Sequence, residues 1–134
     1  MAWRAWAAGW GGALAAAFLN ATLRAGYGTL VGDLTADQIA CVVLLVLILP
    51  WTVRVERRHP LESTRDAVTV GAAWAGATVC FEFTFGHWVN HDSWSELVEA
   101  YDVMSGRWWT LDVVGIALAP AAARAWNRRA RRQS

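Results

Sequence analysis

The sequence predicts an all-α membrane protein with four transmembrane helices and both termini in the cytoplasm. A short amphipathic helix is expected on the outer side, between spans three and four. Three observations predict this. Of 134 residues, 56% are hydrophobic and 17% charged, with a mean hydropathy of +0.27, more apolar surface than a soluble domain of this length has interior to hide. The twelve basic residues, all arginine, are segregated along the chain, and tryptophans gather near the ends of apolar runs. The composition excludes a disordered chain, and a net charge of +1 offers no basis for nucleic-acid binding.

The first span is predicted over 6–23, an Ala- and Gly-rich run. Trp3, Trp6 and Trp10 stand where a cleaved leader would carry its charged region and early core, so the segment is expected to be retained. The second span, 36–53, is aliphatic and is expected to end around Pro50 and Trp51, with Thr35-Ala36-Asp37-Gln38 as a capping box at its start. Having almost no small residues, it is expected to face lipid. The third span, 67–87, begins through a second capping box at Ser63–Asp66.

The outer helix is predicted over 93–105. Ser93 and Glu96 form a capping box, Trp94, Leu97, Val98, Tyr101 and Met104 make one apolar face, and Gly106 suits the stop. Glu96, Glu99 and Asp102 occupy the other side, so the helix serves as a surface anchor, or as a lid over an outward-facing cavity. The fourth span covers 108–126, and Pro120 should bend it by freeing the carbonyl of Ile116. Small residues three and four apart (Gly9, Gly12, Ala13, Ala16, Ala17; Gly71, Ala72, Ala75, Gly76; Gly115, Ala119, Ala123) predict close backbone approach between helices.

Arginine placement sets the orientation. Arg4, the loop arginines 54, 57, 58 and 65, and the tail arginines 124, 128, 129, 131 and 132 fall on one side, and only Arg24 and Arg107 on the other. An excess of ten over two marks the cytoplasmic face. Trp3, Trp6, Trp51 and Trp126 are expected at the inner interface, and Trp88, Trp94, Trp108 and Trp109 at the outer one. The Arg-rich tail anchors this orientation and meets anionic lipid head groups. Arginine without lysine, with abundant Ala, Gly, Val and Trp, points to a GC-rich bacterial genome and hence to the inner membrane.

This topology brings Asn20, Arg24, Glu82, Arg107 and Asp112 to one depth near the outer face. Charges at membrane depth cost at least a few kcal/mol each unless paired or wetted, so they should face one another. The expected pairs are Arg24 with Glu82, and Arg107 with Asp112 or the acidic outer helix. Such a layer either ties the helices in register or lines a cavity for a polar ligand or a proton path. His87, Tyr101 and Asp102 complete the candidate cluster. His87 and His91, four apart, would share one helical face and suit a metal or haem, although a clear third ligand is missing. Cys41 and Cys80 lie in apolar runs and read as small hydrophobes. With no phosphate loop, nucleophile elbow, zinc-protease helix or dinucleotide fingerprint, no cofactor is expected.

The segment Phe81-Glu82-Phe83-Thr84-Phe85-Gly86-His87, the pair Tyr101-Asp102 and the segment Gly106-Arg107-Trp108-Trp109, with Asn20 and Arg24 in the first helix, resemble a family of small bacterial four-helix integral membrane proteins. The resemblance spans essentially the whole chain. It implies the fold and the importance of these residues, and no reaction, because the family carries no assigned activity. The leading expectation is therefore a non-enzymatic accessory or interaction subunit, partnered by a second copy or another membrane protein within the bilayer. The alternatives are a small homodimeric transporter or channel using Glu82 and Arg24, and an intramembrane enzyme or metal- or haem-binding protein using Glu82, His87 and His91.

Overall fold

Glycine, proline and two capping boxes punctuate an otherwise helix-forming chain. The computed structural model describes residues 1–134, and all its regular structure is helical. Helix α1 spans Trp3–Val31, α2 Asp33–Arg58, α3 Thr64–Trp88, α4 Trp94–Glu99 and α5 Trp109–Gln133, with a single 3-10 turn at Val103–Ser105. The four long helices hold 25 to 29 residues, which makes each roughly 38 to 44 Å long. Two of them, α2 and α3, are long and apolar enough to cross a membrane.

Local chemistry accounts for the boundaries. Gly32 adopts φ +87 and separates α1 from α2 by a single residue, its N–H donating to the carbonyl of Gly28 at 3.0 Å. Only glycine takes that conformation without strain. The reversal is so tight that α2 starts at Asp33, and Thr35 falls inside the first turn instead of capping it. Both other capping boxes form as expected. Ser63 Oγ accepts from the Asp66 N–H at 3.0 Å and Asp66 Oδ2 from the Ser63 N–H at 3.1 Å. Ser93 Oγ and Glu96 Oε2 repeat the pattern at 3.2 and 2.7 Å.

All four long helices outrun their predicted spans. In α2 the helix continues past Pro50 to Arg58 and stops at His59, which lies at φ −133 because the ring of Pro60 disfavours helical geometry in the residue before it. Pro120 sits buried within an unbroken α5. The outer helix is shorter than predicted. After Glu99 the backbone tightens to three-residue bonds (Tyr101 N–H to Val98 O and Asp102 N–H to Glu99 O, both 3.0 Å), and Gly106, at φ +86, ends the segment. What remains is α4, stacked on the end of α3 through Phe83, Trp94 and Tyr101.

Packing runs from α1 to α2, from α2 to α5 and from α5 to α3. Large side chains bridge α1 and α3: the rings of Trp6 and Trp74 lie 5.6 Å apart, the Trp74 indole donates to Trp6 O at 3.0 Å, and the Trp10 indole to Thr78 Oγ1 at 3.1 Å. Trp6 is 1% exposed, so it is a core residue and not part of an interfacial belt. Helix α2, expected to face lipid, instead lies between α1 and α5 with Ala36, Leu44, Ile48, Thr52, Val55 and Glu56 buried. The large residues of α2 fit the small ones of its neighbours. Leu45 covers Gly115, Trp51 covers Gly12 and Val55 covers Gly9, so one helix supplies knobs and the others holes. Gly71 meets the backbone of Ala117 directly, where any Cβ would lie 1.9 Å from the carbonyl oxygen.

Candidate functional site

Toward the end of the molecule away from both termini, the second half of α1, the last turns of α3 and the first turns of α2 and α5 surround a cavity of about 340 Å³, which Leu97 and Ala100 also line. Six residues that the sequence singles out line it: Asn20, Arg24, Glu82, Tyr101, Arg107 and Asp112. Ala17, Ala21, Ala40, Leu44, Phe83, Trp108 and Trp109 supply apolar wall, and Asp37 and Cys41 add polar groups from α2.

Of the two expected ion pairs, that of Arg107 with the acidic outer helix forms and that of Arg24 with Glu82 does not. Arg24 engages Asp37 at 2.8 Å and Asp33 at 3.5 Å, and it does not pair with Glu82. The one-residue reversal at Gly32 lays the start of α2 beside Arg24 and presents two carboxylates before α3 is within reach. Arg107 pairs with Glu99 of the acidic outer segment at 3.5 Å and not with Asp112. Gln38 Nε2 donates to Gly106 O at 3.0 Å, tying α2 to that segment.

With both guanidinium groups engaged elsewhere, two carboxyl groups remain. Glu82 is half-buried and forms no hydrogen bond or ion pair with the protein. Asp112 is 1% exposed, and neither of its oxygens has a hydrogen-bond partner; the Cys41 thiol is a polar neighbour. Asn20, 5% exposed, donates through Nδ2 to Ala40 O at 2.8 Å but leaves Oδ1 unpaired. The Tyr101 hydroxyl and the Trp109 indole N–H are buried and unpaired as well. Burial raises the Tyr101 phenol above its ordinary value; the nearby Trp109 indole opposes the shift and the Glu82 charge adds to it.

The remaining predicted residues lie apart from the cavity. His87 Nδ1 is 2.9 Å from Asp92 O and its ring stacks on Trp94 at 3.9 Å, a structural role at the end of α3. His91 lies beyond Trp88, where α3 stops, at φ +62, so the two histidines do not share a helical face. No group of three or more His, Cys, Asp or Glu side chains has metal-holding geometry. Asp102 is exposed, and its carbonyl accepts from Ser105 Oγ at 3.0 Å and from the Arg107 N–H at 3.3 Å, which shapes the outer turn.

Sequence reasoning missed Asp37 and Cys41 as cavity residues, and it missed a second polar cluster at the opposite end. There Asn127 Nδ2 donates to Glu56 Oε2 at 2.6 Å and to Val53 O at 3.1 Å, while Arg57 Nε donates to Asn127 Oδ1 at 3.0 Å. A signal for both exists. Asp37, Cys41, Leu44 and Ile48 recur at helical spacing, as do Asp112, Ile116, Ala119, Ala123 and Asn127, so each polar residue continues a buried stripe. No family model matches the chain, and no match is found among curated proteins or solved structures.

Proposed function

We propose that this chain is a polytopic inner-membrane protein with four spans and cytoplasmic termini, which binds a small ligand in the cavity at its outer end. The ten-to-two arginine asymmetry supports the orientation. Exposed rows of Leu19, Leu23, Val42, Val46, Val68 and Leu118 around the helices suit contact with acyl chains. The resemblance to small bacterial four-helix membrane proteins agrees with this placement.

One observation carries the ligand-binding reading. Of the seven buried side-chain polar atoms without a hydrogen-bond partner, five belong to residues lining this single cavity: Asn20 Oδ1, the Tyr101 hydroxyl, Trp109 Nε1 and both Asp112 oxygens. A buried unpaired polar atom costs on the order of 1–3 kcal/mol, and folded proteins keep few of them. Gathering them around one concave, largely apolar site is what a ligand pocket does. The test is a thermal-shift screen of small polar and amphipathic compounds against purified protein in mild detergent. Hits lost in Asn20→Ala and Tyr101→Phe, with circular dichroism showing each variant folded, support the site. Hits indifferent to both substitutions refute it.

An accessory role is the second reading, favoured by two exposed small-residue rows. Ala7, Gly11 and Ala15 on α1, and Ala72, Gly76 and Cys80 on α3, recur every fourth residue, and nothing packs over Gly11 or Gly76. Purification in several mild detergents should then recover a stoichiometric second membrane chain.

A further inference from the structure

The charge and shape of this cavity define a ligand class. We propose that it takes a small organic cation with an apolar body, held by Asp112 at the base and by Glu82 on the α3 wall. This rests on the ligand-binding reading above and deepens it.

The charge balance inside the site is the first ground. Both arginines of the wall are already engaged, Arg24 by Asp37 and Asp33, and Arg107 by Glu99. Glu82 and Asp112 have no such partner. A carboxylate out of water costs several kcal/mol unless a counter-charge sits beside it, and the protein places none beside Asp112. A cation supplies that charge and an anion would add a third negative group; with neither, a buried carboxyl of this kind is held in its neutral, protonated form, so a cation is the ligand that favours the ionised one.

The walls are the second ground. Phe83, Tyr101, Trp108 and Trp109 line the same space, and aromatic faces attract cations more strongly where water is excluded. A bare inorganic ion would want several oxygen ligands converging on one point, and no such cluster of side chains exists. At about 340 Å³ the cavity lies near the lower end of the range for small-molecule sites.

The rim is the third ground. Arg24 is met by two carboxylates, Asp37 and Asp33, and Arg107 by Glu99, so the ion pairs at the rim leave one negative charge in excess, which favours the approach of cations.

The experiment uses the purified full-length protein and three probes of nearly one shape: phenyltrimethylammonium, its neutral isostere tert-butylbenzene, and benzenesulfonate. Binding is read by calorimetry and by quenching of tryptophan fluorescence. The cation should bind at least tenfold more tightly than either other probe, and Asp112→Asn and Glu82→Gln should each erase most of that preference. Equal or tighter binding of the neutral or anionic probe overturns the cation assignment and leaves the ligand site standing. Failure of all three to bind overturns the site itself. Glu82 is half-buried and touches no protein partner, so Glu82→Gln should fold even if Asp112→Asn does not. Undiminished cation preference in a folded variant overturns the assignment.

Discussion

Asp112 and Asn127 lie on one face of α5, about four turns apart, and their buried polar groups meet opposite fates. The Asn127 amide is fully used, bonding Glu56, Val53 and Arg57 at 2.6 to 3.1 Å. Removing it strands the buried Glu56 carboxylate, so Asn127→Ala should destabilise by about 2–3 kcal/mol, the range for a lost hydrogen bond to a charged group. Asp112 has only the weakly polar Cys41 thiol beside it. Asp112→Leu replaces an unpaired buried carboxyl with an apolar side chain of similar size and should stabilise the free protein by about 1–3 kcal/mol. Denaturant unfolding in a fixed detergent, followed by circular dichroism, checks both. A stabilising loss of a native residue is what a binding site predicts, because such sites keep strain that the rest of the structure tolerates. If Asp112→Leu were as damaging as Asn127→Ala, Asp112 would instead be a structural tie.

At the scale of helices, small residues decide which faces meet. Gly71 leaves α3 touching the α5 backbone, and a Cβ there would lie 1.9 Å from Ala117 O, whereas one at Gly76 meets nothing. Gly71→Ala should therefore push the two helices apart and cost about 1–3 kcal/mol, while Gly76→Ala should be neutral or stabilise by up to about 1 kcal/mol. Thermal melts of the pair separate packing from propensity. The capping box of α4 gives a pH test. The Ser93 backbone N–H, which donates to Glu96 Oε2 at 2.7 Å, and the neighbouring Ser93 hydroxyl hold the Glu96 carboxyl below its ordinary value of 4.5. The support this gives α4 is complete above 4.5 and is lost as pH falls through the lowered value. The protection factor of the Ser93 amide, exchange corrected for its intrinsic pH dependence, should fall over that acid window and stay flat there in Glu96→Gln. The helices and two of three boxes were legible in the sequence because hydrophobic runs and Ser-x-x-acid spacing are local signals. The position of α2 was not, since it depends on pairs between helices: Leu45, Trp51 and Val55 act by filling glycine hollows on other helices. The partner of Arg24 was hidden for a related reason: depth in the membrane placed Glu82 nearby, but the one-residue turn at Gly32 brought Asp37 nearer.

For the whole molecule the solvent is the central question, and the distribution of burial agrees with the lipid placement proposed above. Only 24 of 134 residues are buried, and exposed aliphatic side chains line α1 (Leu19, Leu23), α2 (Val42, Val46, Leu49) and α5 (Leu111, Val114, Leu118). Along the axis the order is polar, apolar, polar: the cavity with Asp112 and Arg24 at one end, Leu44, Ile48, Trp74 and Ile116 in the middle, and Glu56 with Asn127 at the other. That sequence of layers matches a bilayer, with ionic groups near the interfaces and hydrocarbon between them. On the proposed topology the arginine bias puts the cavity end outside. In a background with Cys41→Ala and Cys80→Ala, the exposed sites Asp102 and Gln133 sit near opposite ends of the molecule and can each be changed to cysteine. A membrane-impermeant maleimide applied to intact spheroplasts should label Asp102→Cys at once and Gln133→Cys only after permeabilisation. Labelling of both sites in intact spheroplasts would place the two ends on one side and break the four-span topology. Labelling of Gln133→Cys alone would invert it, and would move the acid-rimmed cavity to the cytoplasmic side.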